Sequence, residues 1–115
     1  MSFEPTPPAV PASALADDAV VLDVREQDEW DAGHAPHAVH IPLGELPSRL
    51  DELPESDDPL PVVCRMGGRS ARAVAWLGQQ GFDVVNADGG MKAWESAGKP
   101  LVAADGGAAA SPRVK

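Results

Sequence analysis

A ten-residue stretch near the middle of the chain combines a strand pattern, a cysteine and a glycine-rich turn. It is Pro61-Val62-Val63-Cys64-Arg65-Met66-Gly67-Gly68-Arg69-Ser70. The apolar run that ends at Cys64 favours a buried strand, and the pattern from Ser70 onward favours a helix. A strand that passes into a helix through such a turn directs several backbone N–H groups at one point, where the helix N-terminus adds about half a positive charge. The sequence therefore predicts that Cys64 lies where a thiolate, or an anion attached to it, is held.

Working outward from this stretch, apolar runs and helical patterns alternate along the chain. Strands are predicted at 9–10, 19–24, 39–41, 60–64 and 82–86, and helical segments within 11–18 and at 25–31, 43–53, 70–80 and 91–97. This alternation predicts an α/β protein with a parallel sheet and helices on both faces. In such sheets ligands bind beyond the carboxyl ends of the strands, where Cys64, Asp23 and Arg25 all fall.

The length of 115 residues suits one compact domain. We expect an extended N-terminal arm at 1–9 that holds three prolines, a domain at 10–102, and a flexible Ala/Gly/Ser-rich tail at 103–115. The first residues have neither the basic nor the apolar region of a signal peptide, and no apolar run is long enough to span a membrane. A cytoplasmic location is the expectation.

Charge and cysteine content limit the classes of function. The formal net charge is −9, with 18 acidic and 9 basic residues, which argues against nucleic acid or a membrane as a partner. Arg65 and Arg69 run against this overall charge, so their position beside Cys64 is informative. Cys64 is the only cysteine, so an internal disulfide is excluded and any thiol that acts on Cys64 comes from outside the chain.

The residues around Cys64 favour a reactive cysteine over an inert one. A buried cysteine at the end of a strand is usually a small apolar side chain. Here Arg65, Arg69 and the helix N-terminus are all expected to lower the thiol pKa, and the thiolate is the nucleophilic form. Gly67 and Gly68 permit positive φ and carry no Cβ, so backbone amides can converge on an anion.

Four segments occur in order along the chain: Val21-Leu22-Asp23-Val24-Arg25-Glu26, Gly33-His34-Ala35-Pro36-His37-Ala38-Val39-His40-Ile41-Pro42, Cys64-Arg65-Met66-Gly67-Gly68-Arg69-Ser70 and Gly89-Gly90-Met91-Lys92-Ala93-Trp94. Together they resemble a single-domain rhodanese, a sulfurtransferase-type domain, over about residues 10–101. The resemblance implies a three-layer rhodanese-like fold with a five-stranded parallel sheet. Family members usually carry glycine where His37 stands, so a positive φ at that position would strain the histidine.

The resemblance also implies a mechanism. Cys64 would take a sulfane sulfur from thiosulfate or a similar small anionic donor, become a persulfide, and pass the sulfur to cyanide, a small thiol or a protein thiol. Arg65, Met66, Gly67, Gly68, Arg69 and Ser70 would bind the substrate and the persulfide, and Asp23 and Arg25 would support the loop. No cofactor and no metal are expected.

Two alternatives stay open. A non-enzymatic sulfur-carrier or regulatory partner-binding module would use the same loop. A phosphatase or arsenate reductase is disfavoured, because related phosphatase-type loops place five residues between cysteine and arginine. Here four residues separate Cys64 from Arg69, and the smaller loop suits a single sulfur atom.

The three histidines, His34, His37 and His40, are spaced by three and raise the possibility of a metal site. Pro36 and the following strand pattern keep the rings from sharing one face. A structural or solvated role is therefore favoured for all three.

Overall fold

The computed structural model describes residues 7–103 and 112–115. Five short strands alternate with helical segments. The strands are β1 (Ala9–Pro11), β2 (Leu22–Asp23), β3 (Val39–His40), β4 (Leu60–Val63) and β5 (Val84–Asp88). The α-helices are α1 (Gln27–Ala32), α2 (Gly68–Gln79) and α3 (Gly90–Ser96). Three 3-10 segments span Ala12–Ala14, Leu43–Ser48 and Leu50–Glu52.

All five strands join one parallel sheet in the order β1-β5-β4-β2-β3. The predicted α/β fold with a five-stranded parallel sheet is thereby confirmed. Strand β4 is central, with Leu22 of β2 opposite Val62 on one side and Asn86 of β5 opposite Val62 on the other. The residue that follows β4 therefore leaves the sheet at its middle, where neighbouring strands flank it.

Two apolar clusters cover the two faces of the sheet, since successive strand residues point to opposite sides. Val62 and Cys64 lie in a cluster with Val74 and Leu77 of α2. Val63 lies in the other cluster, with Met91 and Trp94 of α3. Helices on both faces, as predicted, make the three layers.

The predicted helix at 43–53 is wrong in type. The segment forms two 3-10 stretches that break at Arg49, with Pro47 inside the first. Proline has no N–H and its ring clashes with the carbonyl four residues earlier, so a continuous α-helix cannot pass through Pro47. The leucines still point inward: Leu46 is buried, and Leu43, Leu50 and Leu53 pack against the α2-side cluster.

Other boundaries shift by a few residues. Strand β2 is shorter than the predicted 19–24, α2 begins two residues earlier than predicted, and β5 runs to Asp88. No non-glycine residue in the described part of the chain has a positive φ, so the backbone at His37 carries no such strain.

Of the predicted arm at 1–9, residues 1–6 lie outside the described residues, and Ala9 already belongs to β1. Of the predicted flexible tail, residues 104–111 also lie outside them. Residues 112–115 pack against the domain, with Val114 buried at 6% exposure. No helix in the described ranges is both long and apolar enough to cross a membrane.

Candidate active site

Cys64 follows directly on β4 at the carboxyl edge of the sheet, and only 1% of its surface is exposed. Two backbone bonds hold this position from the side of α3. The amide of Met91 donates to the carbonyl of Cys64 at 2.8 Å, and the amide of Lys92 donates to the carbonyl of Arg65 at 3.0 Å. The first N–H groups of α3, which have no partner within the helix, thus take up the carbonyls of the loop.

Gly90 is the residue that permits this close approach. Its φ is +59°, and a Cβ there would lie 2.5 Å from the carbonyl oxygen of Cys64 and 2.6 Å from that of Arg65. Any side chain at this position would push the loop away from α3. These two bonds engage the carbonyls of Cys64 and Arg65. The amides of the residues that follow in the loop can therefore point toward the sulfur.

The sulfur of Cys64 accepts hydrogen bonds from within the same loop. The amide of Gly67 donates to Sγ at 3.0 Å, and the hydroxyl of Ser70 lies 3.3 Å from Sγ. Gly67 is the residue before α2 and has a φ of 117°, a conformation that glycine adopts at little cost. This conformation directs the amide of Gly67 toward the sulfur. The carbonyl of Gly67 accepts the first hydrogen bond of helix α2, from the amide of Ala71.

These contacts favour the thiolate. Burial by itself would raise the pKa of Cys64, but the hydroxyl of Ser70 and the amides of Ser70, Gly67 and Met66 outweigh it and hold the pKa below its ordinary value. A lowered pKa is what a nucleophilic cysteine requires, and the role of Cys64 as the nucleophile stays a prediction.

Asn86 completes a polar network that the sequence reasoning missed. The Ser70 hydroxyl lies 2.6 Å from the Asn86 side-chain oxygen and 3.3 Å from Sγ of Cys64, so its single proton is shared between these two acceptors. The Asn86 side-chain nitrogen donates to the carbonyl of Gly67 at 3.3 Å. Ser70 and Asn86 are both buried. Asn86 interrupts an apolar strand at the carboxyl edge of the sheet, next to β4, and that position is the signal that could have identified it.

Arg69 is held by a carboxylate from a distant part of the chain. Its two terminal nitrogens donate to the two carboxylate oxygens of Glu29 at 2.6 and 2.8 Å. This pairing raises the pKa of Arg69, and the negative charge of Cys64 adds to the rise, so the guanidinium lies within electrostatic reach of the sulfur. Glu29 also accepts from the amide of Glu26 in the capping box of α1, which fixes its own orientation. Sequence reasoning missed Glu29 as well.

The side chains of Arg65 and Met66 are exposed, that of Met66 to 60%. Gly68, which has no side chain, is exposed as well. Arg65 makes no ion pair among the described residues, and its Nε donates to the carbonyl oxygen of Lys115 at 3.0 Å.

Asp23 and Arg25 lie on and just after β2, both fully buried, and form an ion pair of 2.8 Å. Arg25 also donates to the carbonyl of Gly33 at 2.8 Å. No hydrogen bond in the described ranges joins either side chain to residues 65–70, so their support of the loop stays a prediction. The nearest link is electrostatic: Arg25 helps to lower the pKa of Glu29, after the larger effect of the Arg69 hydrogen bond.

Two of the three histidines, His34 and His40, pack on the ring of Trp30, and His37 is exposed. His34 stacks on its ring with centroids 3.5 Å apart, and His40 stacks with centroids 4.8 Å apart. Nδ1 of His34 donates to the carbonyl of Trp30 and Nε2 of His40 donates to that of Arg25. Within residues 7–103 and 112–115, no group of three or more potential ligands is close enough to hold a metal ion.

Two surface clefts of about 330 and 370 Å³ lie away from Cys64, around the beginnings of β4 and β5. Neither has a cysteine or a basic side chain in its lining, and both include Glu55 and Asp58. An anion would be repelled there. The loop at the opposite edge of the sheet is the site that suits one.

The fold and this loop define a class of protein in which a backbone cradle surrounds a cysteine whose thiol pKa is lowered. Comparison with known proteins specifies the class. The family model for the rhodanese-like domain matches residues 10–97. A sulfurtransferase from Allochromatium vinosum is 38% identical over 94 residues, which cover 81% of this chain and 87% of that protein.

Two further comparisons agree. The thiosulfate sulfurtransferase GlpE from Pseudomonas syringae pv. syringae is 35% identical over 95 residues, which cover 82% of this chain and 89% of that protein. The crystal structure of a rhodanese-related protein from Thermoplasma volcanium superposes with a TM-score of 0.73 at 35% identity, over 83% of this chain and 97% of that one. The chain belongs to the rhodanese-like domain family.

Proposed function

We propose that this protein is a sulfurtransferase that carries sulfur as a persulfide on Cys64. The observation that carries the proposal is the contact of the Gly67 amide with Sγ at 3.0 Å, in a buried site where the pKa of the thiol is lowered. The names of the relatives support sulfur transfer as the general activity. Thiosulfate as donor, and cyanide or a thiol as acceptor, are the specific part of the proposal.

In the first step the Cys64 thiolate attacks the outer sulfur of thiosulfate. A new S–S bond forms to Sγ, the old S–S bond breaks, and sulfite leaves with the electron pair. One negative charge stays on the terminal sulfur of the persulfide. The Gly67 amide and the loop amides beside it stabilise that charge, as preorganised donors do for developing anions.

In the second step an acceptor nucleophile attacks the terminal sulfur. Cyanide leaves as thiocyanate, or a thiolate leaves as its persulfide, and Cys64 returns to the thiolate. Because Cys64 is the only cysteine, the acceptor comes from outside the chain. Both steps balance without a cofactor, and the two half-reactions predict ping-pong kinetics.

The two arginines take different parts in this scheme. Arg65 is exposed and can present its guanidinium to the oxygens of the donor and of the leaving sulfite. Arg69 has both terminal nitrogens on Glu29, so it contributes mainly its charge and holds the start of α2. Met66, Gly68 and Ser70 belong to the same loop and contribute to substrate binding in this proposal. Asp23 and Arg25 keep the supporting role expected from the sequence.

Mass spectrometry of Cys64 tests the proposal. After incubation with thiosulfate we expect the wild-type protein to gain the mass of one sulfur and Cys64→Ser to gain none. Subsequent cyanide should release thiocyanate and restore the original mass. Wild-type protein that gains no sulfur from any sulfane donor would refute the proposal.

The same experiment separates the alternatives. A sulfur carrier or regulatory module would load Cys64 yet release sulfur only to a specific protein partner. Turnover of an aryl phosphate or of arsenate that depends on Cys64 would support hydrolase or reductase chemistry instead, against the four-residue spacing. The cytoplasmic location expected from the sequence stays a prediction.

A further inference from the structure

A short peptide segment of the chain itself lies against the rim of the active-site loop. Residues 112–115 return to the domain, and each of the last three residues of this segment contacts it. The amide of Arg113 donates to the carbonyl of Ala32 at 3.0 Å, and the amide of Val114 donates to the Glu95 carboxylate at 2.9 Å. The segment thus bridges the end of α1 and the outer part of α3.

The side chain of Val114 enters the apolar core. It is 6% exposed and belongs to the cluster that contains Val63, Met91 and Trp94. Val63 directly precedes Cys64, and Met91 donates to the carbonyl of Cys64. The floor of this groove is therefore the same set of residues that positions the nucleophile.

Gly33 forms one wall of the groove. A Cβ at this position would lie 2.7 Å from the main-chain nitrogen of Arg113 and closer still to its carbonyl oxygen. The φ of Gly33 is 172°, an extended value that any residue adopts, so backbone conformation does not require a glycine here. The three atoms nearest to a Cβ at this position all belong to the Arg113 backbone. Glycine here makes room for a peptide backbone.

The last contact of the segment is with Arg65. Its Nε donates to the carbonyl oxygen of Lys115 at 3.0 Å, while the Lys115 ammonium pairs with Asp28 at 2.6 Å. An arginine binds an oxyanion best through two parallel N–H groups. The docked segment occupies Nε, so the edge that Nε shares with a terminal nitrogen is closed to the donor and only the edge of the two terminal nitrogens stays open.

We propose that this groove is a peptide-binding site filled in cis by residues 112–115, and that its occupant competes with an anionic sulfur donor for Arg65. The chemistry of the ligand follows from the contacts. It is an extended peptide whose small β-branched side chain is buried and is followed by a basic residue that meets Asp28. The competition rests on the proposed sulfurtransferase function, whereas the peptide site does not.

Two variants release the segment by different means. Gly33→Ala fills the space that the Arg113 backbone occupies, and Val114→Asp places a charge at a buried position. Gly44→Ala is the matched control for the first variant, because a Cβ at Gly44 meets nothing within 4 Å.

Deuterium exchange at the Val114 amide, followed by NMR, measures docking directly. A segment docked about 90% of the time slows exchange roughly tenfold. We expect this protection in the wild-type protein and Gly44→Ala and its loss in both release variants. An unprotected Val114 amide in the wild-type protein would overturn the peptide site.

The thiosulfate concentration that half-saturates persulfide formation measures the competition. The same docked fraction weakens donor binding by the same factor, so this concentration should fall roughly tenfold in both release variants and stay unchanged in Gly44→Ala. Equal values in all four proteins would overturn the competition. If Cys64 gains no sulfur in any of them, the proposed function fails and the competition with it, while the exchange measurement still decides the peptide site.

An amidated synthetic peptide with the sequence of residues 109–115 tests the groove in trans. Added at millimolar concentration, it should raise the half-saturating thiosulfate concentration in Val114→Asp, where the groove is vacant. It should have no effect in Gly33→Ala, where the new methyl group blocks the groove. The same response in both variants would overturn the assignment of the groove.

Discussion

Two turns of this protein share one local design and serve different ends. Strand β4 passes into α2 through Gly67, and β5 passes into α3 through Gly89, with φ values of 117° and 82°. At the first turn the Gly67 amide faces the sulfur of Cys64. At the second the amides of Met91 and Lys92 are taken up by the carbonyls of Cys64 and Arg65.

The difference teaches that a glycine-rich helix start is not by itself an anion site. Both turns offer free N–H groups at a helix N-terminus. The β4–α2 turn becomes the cradle because the β5–α3 turn binds the carbonyls of Cys64 and Arg65. The Gly67 amide of the β4–α2 turn is then directed at the sulfur of Cys64. The β5–α3 turn is the support and the β4–α2 turn is the site.

The substitution with the largest expected effect disrupts the support that the β5–α3 turn gives to the loop. Gly90→Ala forces a side chain into a φ of +59° and against the carbonyls of Cys64 and Arg65. We expect the free energy of unfolding to fall by about 2–4 kcal/mol, from the backbone strain and the overpacking together. Urea unfolding followed by circular dichroism measures it.

Gly68→Ala is the matched change in the other turn. A Cβ there meets nothing within 4 Å, so the free energy of unfolding should change by less than about 1 kcal/mol. Equal stabilities of the two variants would mean that α3 does not hold the loop.

A middle-sized effect tests the cradle itself. Ser70→Ala removes a hydroxyl that helps to lower the pKa of Cys64, so that pKa should rise and the thiolate should form at higher pH. A hydrogen bond to a charged group stabilises that group by about 1.5 kcal/mol, which corresponds to about a tenfold change in its ionisation constant. Because iodoacetamide reacts with the thiolate, alkylation of Cys64 should slow about tenfold at neutral pH. The full pH profile of alkylation should shift to higher pH by the corresponding amount.

Ser96→Ala, at the exposed end of α3, is the control and should leave the profile in place. Asn86→Ala should shift the profile in the same direction as Ser70→Ala, and the double variant by less than the sum, because Asn86 positions Ser70 and Gly67. Strictly additive shifts would show that Asn86 has only a structural role.

The smallest expected effect comes from the ion pair between Glu29 and Arg69, which lies beside the β4–α2 turn. Glu29→Gln keeps the acceptor for the Glu26 amide but weakens the pair with Arg69, so the free energy of unfolding should fall by about 1 kcal/mol. Folding lowers the pKa of Glu29, so its contribution is present above the pKa of the unfolded state. It disappears as the pH falls through the lower pKa of the folded state.

The difference in the free energy of unfolding between wild type and Glu29→Gln should accordingly be constant near neutral pH and should fall to zero in acid. Glu52→Gln, which weakens an exposed pair with Arg49, should match the wild type throughout. A difference that persists in strong acid would show that Glu29 acts by packing alone.

The sequence predicted the parallel sheet, the central strand that ends at Cys64 and the helix that follows, because each rests on a local pattern. It was wrong at 43–53, where the leucine spacing indicates burial correctly but Pro47 decides the helix type. Sequence reasoning missed Glu29 because its partner Arg69 lies 40 residues away and nothing in the local pattern pairs them. Asn86 could have been predicted as a site residue, since a single amide side chain in an otherwise apolar strand indicates a buried polar contact.

By itself, then, the sequence determined the class of site: a single thiol, two arginines and two glycines at the end of a buried strand. Such features depend on neighbours in the chain, and local propensity and burial express them. Only the tertiary structure decided which amides reach the sulfur, which arginine is neutralised by Glu29, and that residues 112–115 meet Arg65. Those outcomes depend on contacts between segments far apart in the chain, and the packing of α1, α3 and the sheet brings them together.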